Sequence, residues 1–247
     1  MAGTIVLVHG GTVTSRMWDD VREHLVTPAI APDLPGRRYR PADLGTTTRQ
    51  DWIDAVAAEV IDAELDPVVL VGHSSGGYVL PGVATLIPDR IAHLVFIAAT
   101  VPSEGKRPVD FLKPKLTQIA LDGEAEMRAG AAGRTLGGLL PGEPPIETDL
   151  EIVENEGRLG LEAPGPLFEP FTWAGFPRDV PRTFVRCTAD RVVTPQLVDR
   201  MLENMGGADL VDIDAGHEVA ASEPVALAHL LDSIAAPSPH PRTSSST

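Results

Sequence analysis

The sequence predicts an α/β fold, a mostly parallel central sheet flanked by helices with one helical insertion, and three observations lead there. Short apolar runs recur at residues 4–8, 29–31, 68–71, 93–98, 183–187 and 210–213. Most are continuously apolar instead of alternating, the pattern of strands covered on both faces. Segments of helical periodicity lie between them, and strands that alternate with helices pair in parallel. From about residue 102 to residue 181 this rhythm gives way to a stretch rich in Gly and Pro.

Each element has a local signature. Trp52, Ile53, Val56, Val60 and Ile61 repeat at helical spacing, and Thr48 with Asp51 forms a capping pair ahead of them. A second helix has Thr194 as N-cap, Pro195 at its first position and a stripe of Val198, Met201, Leu202 and Met205, and it stops at Gly206. A third is expected to start at Ser222 and bury Leu227, Leu230, Leu231 and Ile234. Within the insertion, residues 111–121 and 149–159 are short amphipathic pieces, suited to a cap over a site. The expected division is a core of residues 1–101 and 182–235, a cap of 102–181, and a Pro- and Ser-rich disordered tail of 236–247.

Composition excludes several classes of function. A formal charge of −15 with only three lysines argues against a nucleic-acid partner, because phosphate binding rests on Lys and Arg clusters. The one basic cluster, Arg37-Arg38-Tyr39-Arg40, follows Pro35-Gly36 and is read as a solvated loop. No run approaches the roughly 20 apolar residues of a membrane helix. The start, Met1-Ala2-Gly3-Thr4, lacks the basic region of a secretory signal. Cys187 stands alone, so no intramolecular disulfide is possible, and a cytoplasmic location is expected.

The chemistry is concentrated in Gly72-His73-Ser74-Ser75-Gly76, which follows the apolar run 68–71 and precedes Tyr78-Val79-Leu80. Gly-x-Ser-x-Gly between a strand and a helix is a sharp turn that lifts a serine hydroxyl out of the sheet, with glycines where side chains would collide with neighbouring backbone. Ser74 is therefore the candidate nucleophile, and the backbone N–H of Ser75 points to the same space. Pro81 is a misfit if it lies beyond the first turn of the following helix.

A serine hydroxyl needs a base. His24, His229 and His240 read as surface or packing residues, His93 opens a strand, and His73 is expected to point away from Ser74. His217, in Asp214-Ala215-Gly216-His217-Glu218 beyond the last strand, lies where parallel strands gather ligands and is the candidate base. Asp190, on the loop after the strand 183–187, is the candidate orienting acid, with Glu104 and Asp214 as alternatives. After the first strand, His9-Gly10-Gly11-Thr12 can supply a second backbone donor. Gly11 and Ser75 are thus the candidate oxyanion hole, and His9 braces the loop.

Taken with Ile5-Val6-Leu7-Val8-His9-Gly10-Gly11 and Ala31-Pro32-Asp33-Leu34-Pro35-Gly36, these motifs stand in the order of the α/β-hydrolase superfamily, which the chain resembles outside residues 102–180. Trp18 and the stretch Leu94-Val95-Phe96-Ile97-Ala98-Ala99-Thr100-Val101-Pro102 look like its small-molecule methylesterase and hydroxynitrile-lyase branch. The resemblance implies a small carboxylic ester or lactone substrate and no cofactor. Trp18, Tyr78, Phe111, Leu112, Phe168, Phe171 and Trp173 are apolar candidates to line the pocket, each equally suited to core packing. A lyase, a cyclase, a cofactor-free haloperoxidase or a ligand-binding receptor on the same scaffold are the alternatives. The lyases of this branch carry threonine where Gly10 stands and lysine where Glu218 stands, so hydrolysis is expected here and cyanide release from mandelonitrile is not.

Overall fold

A computed structural model of the chain describes residues 3–37, 39–112, 114–129 and 163–236. Six strands, β1 Thr4–Val8, β2 Ala29–Ile30, β3 Val68–His73, β4 Ile91–Ile97, β5 Arg182–Cys187 and β6 Asp209–Ile213, form one sheet in the order β2-β1-β3-β4-β5-β6. Every pairing is parallel, and all six expected runs are strands. Alternate side chains of the inner strands serve two cores. Val6, Val8, Leu70 and Phe96 pack on one face with Trp52, Val56, Leu80, Val83, Val198 and Met201. Ile5, Leu7, Val69, Val71 and Val95 pack on the other with Val21, Leu227 and Leu231. Burial on both faces is why these strands read as continuous apolar runs. The edge strand β6 departs from that pattern, with Leu210 40% exposed.

The helix Arg49–Asp62 begins with a closed capping box. Thr48 Oγ1 accepts from the Asp51 N–H at 3.1 Å, and Asp51 Oδ2 accepts from the Thr48 N–H at 2.8 Å. The Thr48 hydroxyl, which donates to Asp51 Oδ2 at 2.6 Å, and then the Thr48 N–H hold the Asp51 carboxyl below its ordinary value. Ile61, expected on the buried stripe, is instead 46% exposed, whereas Val60 before it is fully buried. The helix Pro195–Asn204 follows Thr194, whose side chain makes no cap hydrogen bond, and Gly206 ends the segment with φ +75°. The third helix does not start at Ser222. That residue closes a short helix, Val219–Ser222, and the long one, Pro224–Ala235, opens on a proline that has no N–H to leave unsatisfied.

In the insertion, a 3₁₀ turn at Pro108–Phe111 precedes a helix at Pro114–Arg128, so the piece expected at 111–121 starts later and runs further. A short helix spans Pro164–Phe168. Residues 149–159 and the tail from 237 onward lie outside the described residues. The solvated reading of the basic cluster fails at Arg37, which is 1% exposed. Its Nε donates to the Val13 carbonyl at 2.9 Å, and its guanidinium lies 5.6 Å from the Trp52 ring centroid. A delocalised cation with a carbonyl partner and an aromatic face can be buried where a lysine could not. Tyr39 in the same cluster is 63% exposed, as expected of a loop.

Candidate active site

β3 ends at His73, and the chain enters a 3₁₀ turn at Ser74–Tyr78. Ser74 sits at φ +49°, a left-handed conformation that is strained for a residue with a side chain. The surrounding glycines make the turn possible. A Cβ on Gly72 would meet the Gly76 carbonyl oxygen at 2.8 Å, and one on Gly76 would meet the carbonyl oxygens of Val8 and His9 at 2.8 and 2.7 Å. Pro81 falls in the first turn of the helix Leu80–Leu86, where it costs no hydrogen bond.

Two loops at the same edge of the sheet complete the site. The loops after β5 and β6 are tied together where the Ala189 N–H donates to the Ala215 carbonyl at 3.0 Å. Asp190 is 4% exposed, and its Oδ1 accepts from the N–H groups of Val192 and Val193 at 2.7 and 2.9 Å. Its Oδ2 lies 2.8 Å from His217 Nδ1, and His217 Nε2 lies 3.0 Å from Ser74 Oγ. A carboxylate only accepts, so the proton sits on Nδ1 and Nε2 is free to accept from the serine hydroxyl. The alternative acids are occupied elsewhere. Glu104 Oε2 accepts from the Trp173 N–H at 2.7 Å, and Asp214 Oδ1 accepts from the Thr188 hydroxyl at 3.0 Å.

Facing this chain of bonds is the loop after β1. A Cβ on Gly10 would lie 3.2 Å from Ser74 Cβ and 2.9 Å from His73 Nδ1, so the loop packs directly on the nucleophile. Thr12 turns the chain away with φ +61°. Ser75 is the second residue of its 3₁₀ turn, a position whose N–H has no partner within the turn. His9 braces the loop as expected: its Nδ1–H donates to the Gly10 carbonyl at 2.8 Å, and its Nε2 accepts from the Leu34 N–H at 3.0 Å.

His73, beside the nucleophile in the chain, is also tied to His217. Its Nε2–H donates to the His217 carbonyl at 2.9 Å, and its ring centroid lies 4.9 Å from that of His217. Trp18 stands edge-on to it at 6.4 Å, in the core of the other sheet face from Tyr78. Of the remaining pocket candidates, Phe171 and Trp173 pack edge-to-face at 5.3 Å within the main core, as do Trp173 and Phe176 at 5.0 Å. Phe111 lies under the Arg200 guanidinium, and Phe168 packs with Val109 and Leu167, Leu112 lying against that cluster.

The fully buried rings of His9 and His73 make stability depend on pH. Burial first, and the Arg37 charge second, lower the pKa of His9 from 6.5 to about 3. Burial also lowers that of His73. Below pH 6.5 the unfolded chain therefore takes up protons that the folded chain refuses. Stability from His9 is complete above that value and is lost as the pH falls toward 3, at about 1.4 kcal/mol per pH unit, and His73 acts in the same direction. The urea midpoint is expected to fall clearly between pH 7.5 and pH 5, and a constant midpoint would contradict the buried neutral state of both rings.

A parallel sheet whose central strand ends in a strained serine, with an acid and a histidine on later loops of the same edge, is the architecture of an α/β hydrolase. Comparison with known proteins agrees. Residues 5–230 match the model of the "Alpha/beta hydrolase family", and the chain belongs to that family. It is 29% identical over 245 residues to lipase LipV of Mycobacterium tuberculosis, covering 93% of this chain and 92% of that one. It is 25% identical over 251 residues to the pyrethroid hydrolase of Sphingobium wenxiniae, covering 92% and 85%. An extracellular alpha/beta-hydrolase from a Paenibacillus species superimposes with a TM-score of 0.80 at 21% identity, over 94% of this chain and 98% of that one. Polyneuridine aldehyde esterase does so with a TM-score of 0.70 at 20% identity, over 94% and 98%. Within the family the chain is of the esterase and lipase type. No helix among the described residues is long and apolar enough to cross a membrane.

Proposed function

We propose that the chain hydrolyses a small carboxylic ester or lactone through an acyl-enzyme on Ser74. The observation that carries this reading is the unbroken run of hydrogen bonds from Ser74 Oγ through His217 to Asp190, built on a nucleophile held at φ +49°. As Ser74 Oγ attacks the carbonyl carbon, its proton passes to His217 Nε2, and Asp190 stabilises the imidazolium that forms. The N–H groups of Gly11 and Ser75 receive the charge that develops on the carbonyl oxygen. His217 then hands the proton to the departing alkoxide, and the acyl–serine ester is cleaved by a water that His217 deprotonates in turn.

The names of its relatives, among them a methylesterase from Arabidopsis thaliana, a pyrethroid hydrolase and a lipase, support an ester substrate. Lyase chemistry is disfavoured by Gly10. A threonine there, as the lyases of the branch it resembles carry, would press on Ser74 Cβ and on His73, so this loop is built for glycine. A fluorophosphonate tests the reading directly. It is expected to label Ser74, and labelling is expected to vanish in His217→Ala, because the hydroxyl is activated only through its base. Adducts on Ser75 or Cys187 instead would overturn the assignment.

A further inference from the structure

We infer that Glu218 sets the charge selectivity of this site: it admits uncharged esters, disfavours substrates that carry a free acid group, and drives out the carboxylate product. The inference rests on the serine-hydrolase reading. Glu218 follows His217 directly and is 8% exposed. One of its carboxylate oxygens and one ring nitrogen each of His73 and His217 all lie within 4.8 Å of one another. Its charge therefore stands at the catalytic imidazole, away from the water that would screen it.

Two carboxylates, Glu218 and Asp190, act on the His73 ring beside the site. The buried cation Arg37 acts on His9 instead, tied to the Val13 carbonyl and the Trp52 ring. A substrate's acyl carbon must sit against Ser74 Oγ, itself 3.0 Å from His217 Nε2. A negative charge a few bonds from that carbon falls within reach of Glu218 in a poorly screened space. Hydrolysis turns a neutral ester and water into an alcohol, a proton and a carboxylate, so a neutral ester enters the site without the repulsion that the carboxylate product meets.

The test compares 4-nitrophenyl butyrate with 4-nitrophenyl hemisuccinate, acyl groups of equal carbon number that differ by one terminal carboxylate. The wild-type enzyme is expected to prefer the neutral ester, and Glu218→Gln to shrink the neutral-to-anionic ratio of kcat/KM by about tenfold or more. Inhibition by free butyrate is expected to tighten in the same variant. A ratio that stays within twofold of wild type in the folded variant would overturn the inference. Should the variant fail to fold, a wild-type enzyme that shows no preference for the neutral ester would overturn it equally. Failure of the underlying reading is visible separately, as butyrate-ester turnover that survives in Ser74→Ala.

Discussion

Replacing Ser74 by alanine is expected to lower ester turnover by about 10⁴-fold or more, and replacing His217 by alanine to cost about as much. The two losses are expected not to add. The hydroxyl is a nucleophile only while Nε2, 3.0 Å away, can take its proton, so removing either partner removes the same step. The rate that remains reflects binding and the backbone donors, which neither substitution touches. Ser75→Ala is the control. Its Oγ is buried without a hydrogen-bond partner among the described residues, and the N–H proposed for the oxyanion hole belongs to the backbone, which the substitution keeps. Turnover in Ser75→Ala is expected to stay within about tenfold of wild type, and removal of an unsatisfied hydroxyl leaves stability unharmed. A Ser74→Ala enzyme within tenfold of wild type would place the nucleophile elsewhere.

What could be read ahead of the structure was whatever local chemistry writes into a few consecutive residues. The elbow is legible because glycines must flank a serine that turns at φ +49°, and the capping box because Thr48 and Asp51 answer each other three residues apart. His217 and Asp190 are legible because each follows a strand, where a parallel sheet collects its loops. The misses come from distant partners. Arg37 reads as a surface cation until the Val13 carbonyl and the Trp52 ring are brought to it from other segments. The partner of His73, the main-chain carbonyl of His217, lies 144 positions away in sequence, which no local pattern encodes. The pocket is least legible because Phe171 and Trp173 look alike to sequence whether they line a cavity or pack a core. The late start of the last helix was signalled by Pro224, whose preference for a first turn outranks the capping potential of Ser222.

Asp190→Asn is expected to cut turnover by about 10⁴-fold near neutral pH while leaving the fold intact. The two carboxylate oxygens have separate duties. Oδ1 accepts the N–H groups of Val192 and Val193, and Oδ2 accepts the Nδ1–H of His217. An amide in this place keeps its carbonyl oxygen on the two backbone donors and must turn its NH₂ toward the imidazole. That NH₂ donates where the carboxylate accepted, so His217 moves its proton to Nε2. The ring then meets Ser74 with a donor, and no base is left to take the hydroxyl proton. Volume and backbone bonds are preserved, so the melting temperature is expected to move by only a few degrees, which separates lost chemistry from lost structure. Glu104→Gln makes the opposite prediction. Glu104 accepts the Trp173 N–H, a duty that an amide oxygen performs equally well, and it makes no bond to His217 among the described residues. Turnover in Glu104→Gln is expected to remain within a few-fold of wild type. If it fell further than in Asp190→Asn, the orienting acid would belong to the loop after β4, and the hydrogen bond at 2.8 Å between Asp190 and His217 would be structural.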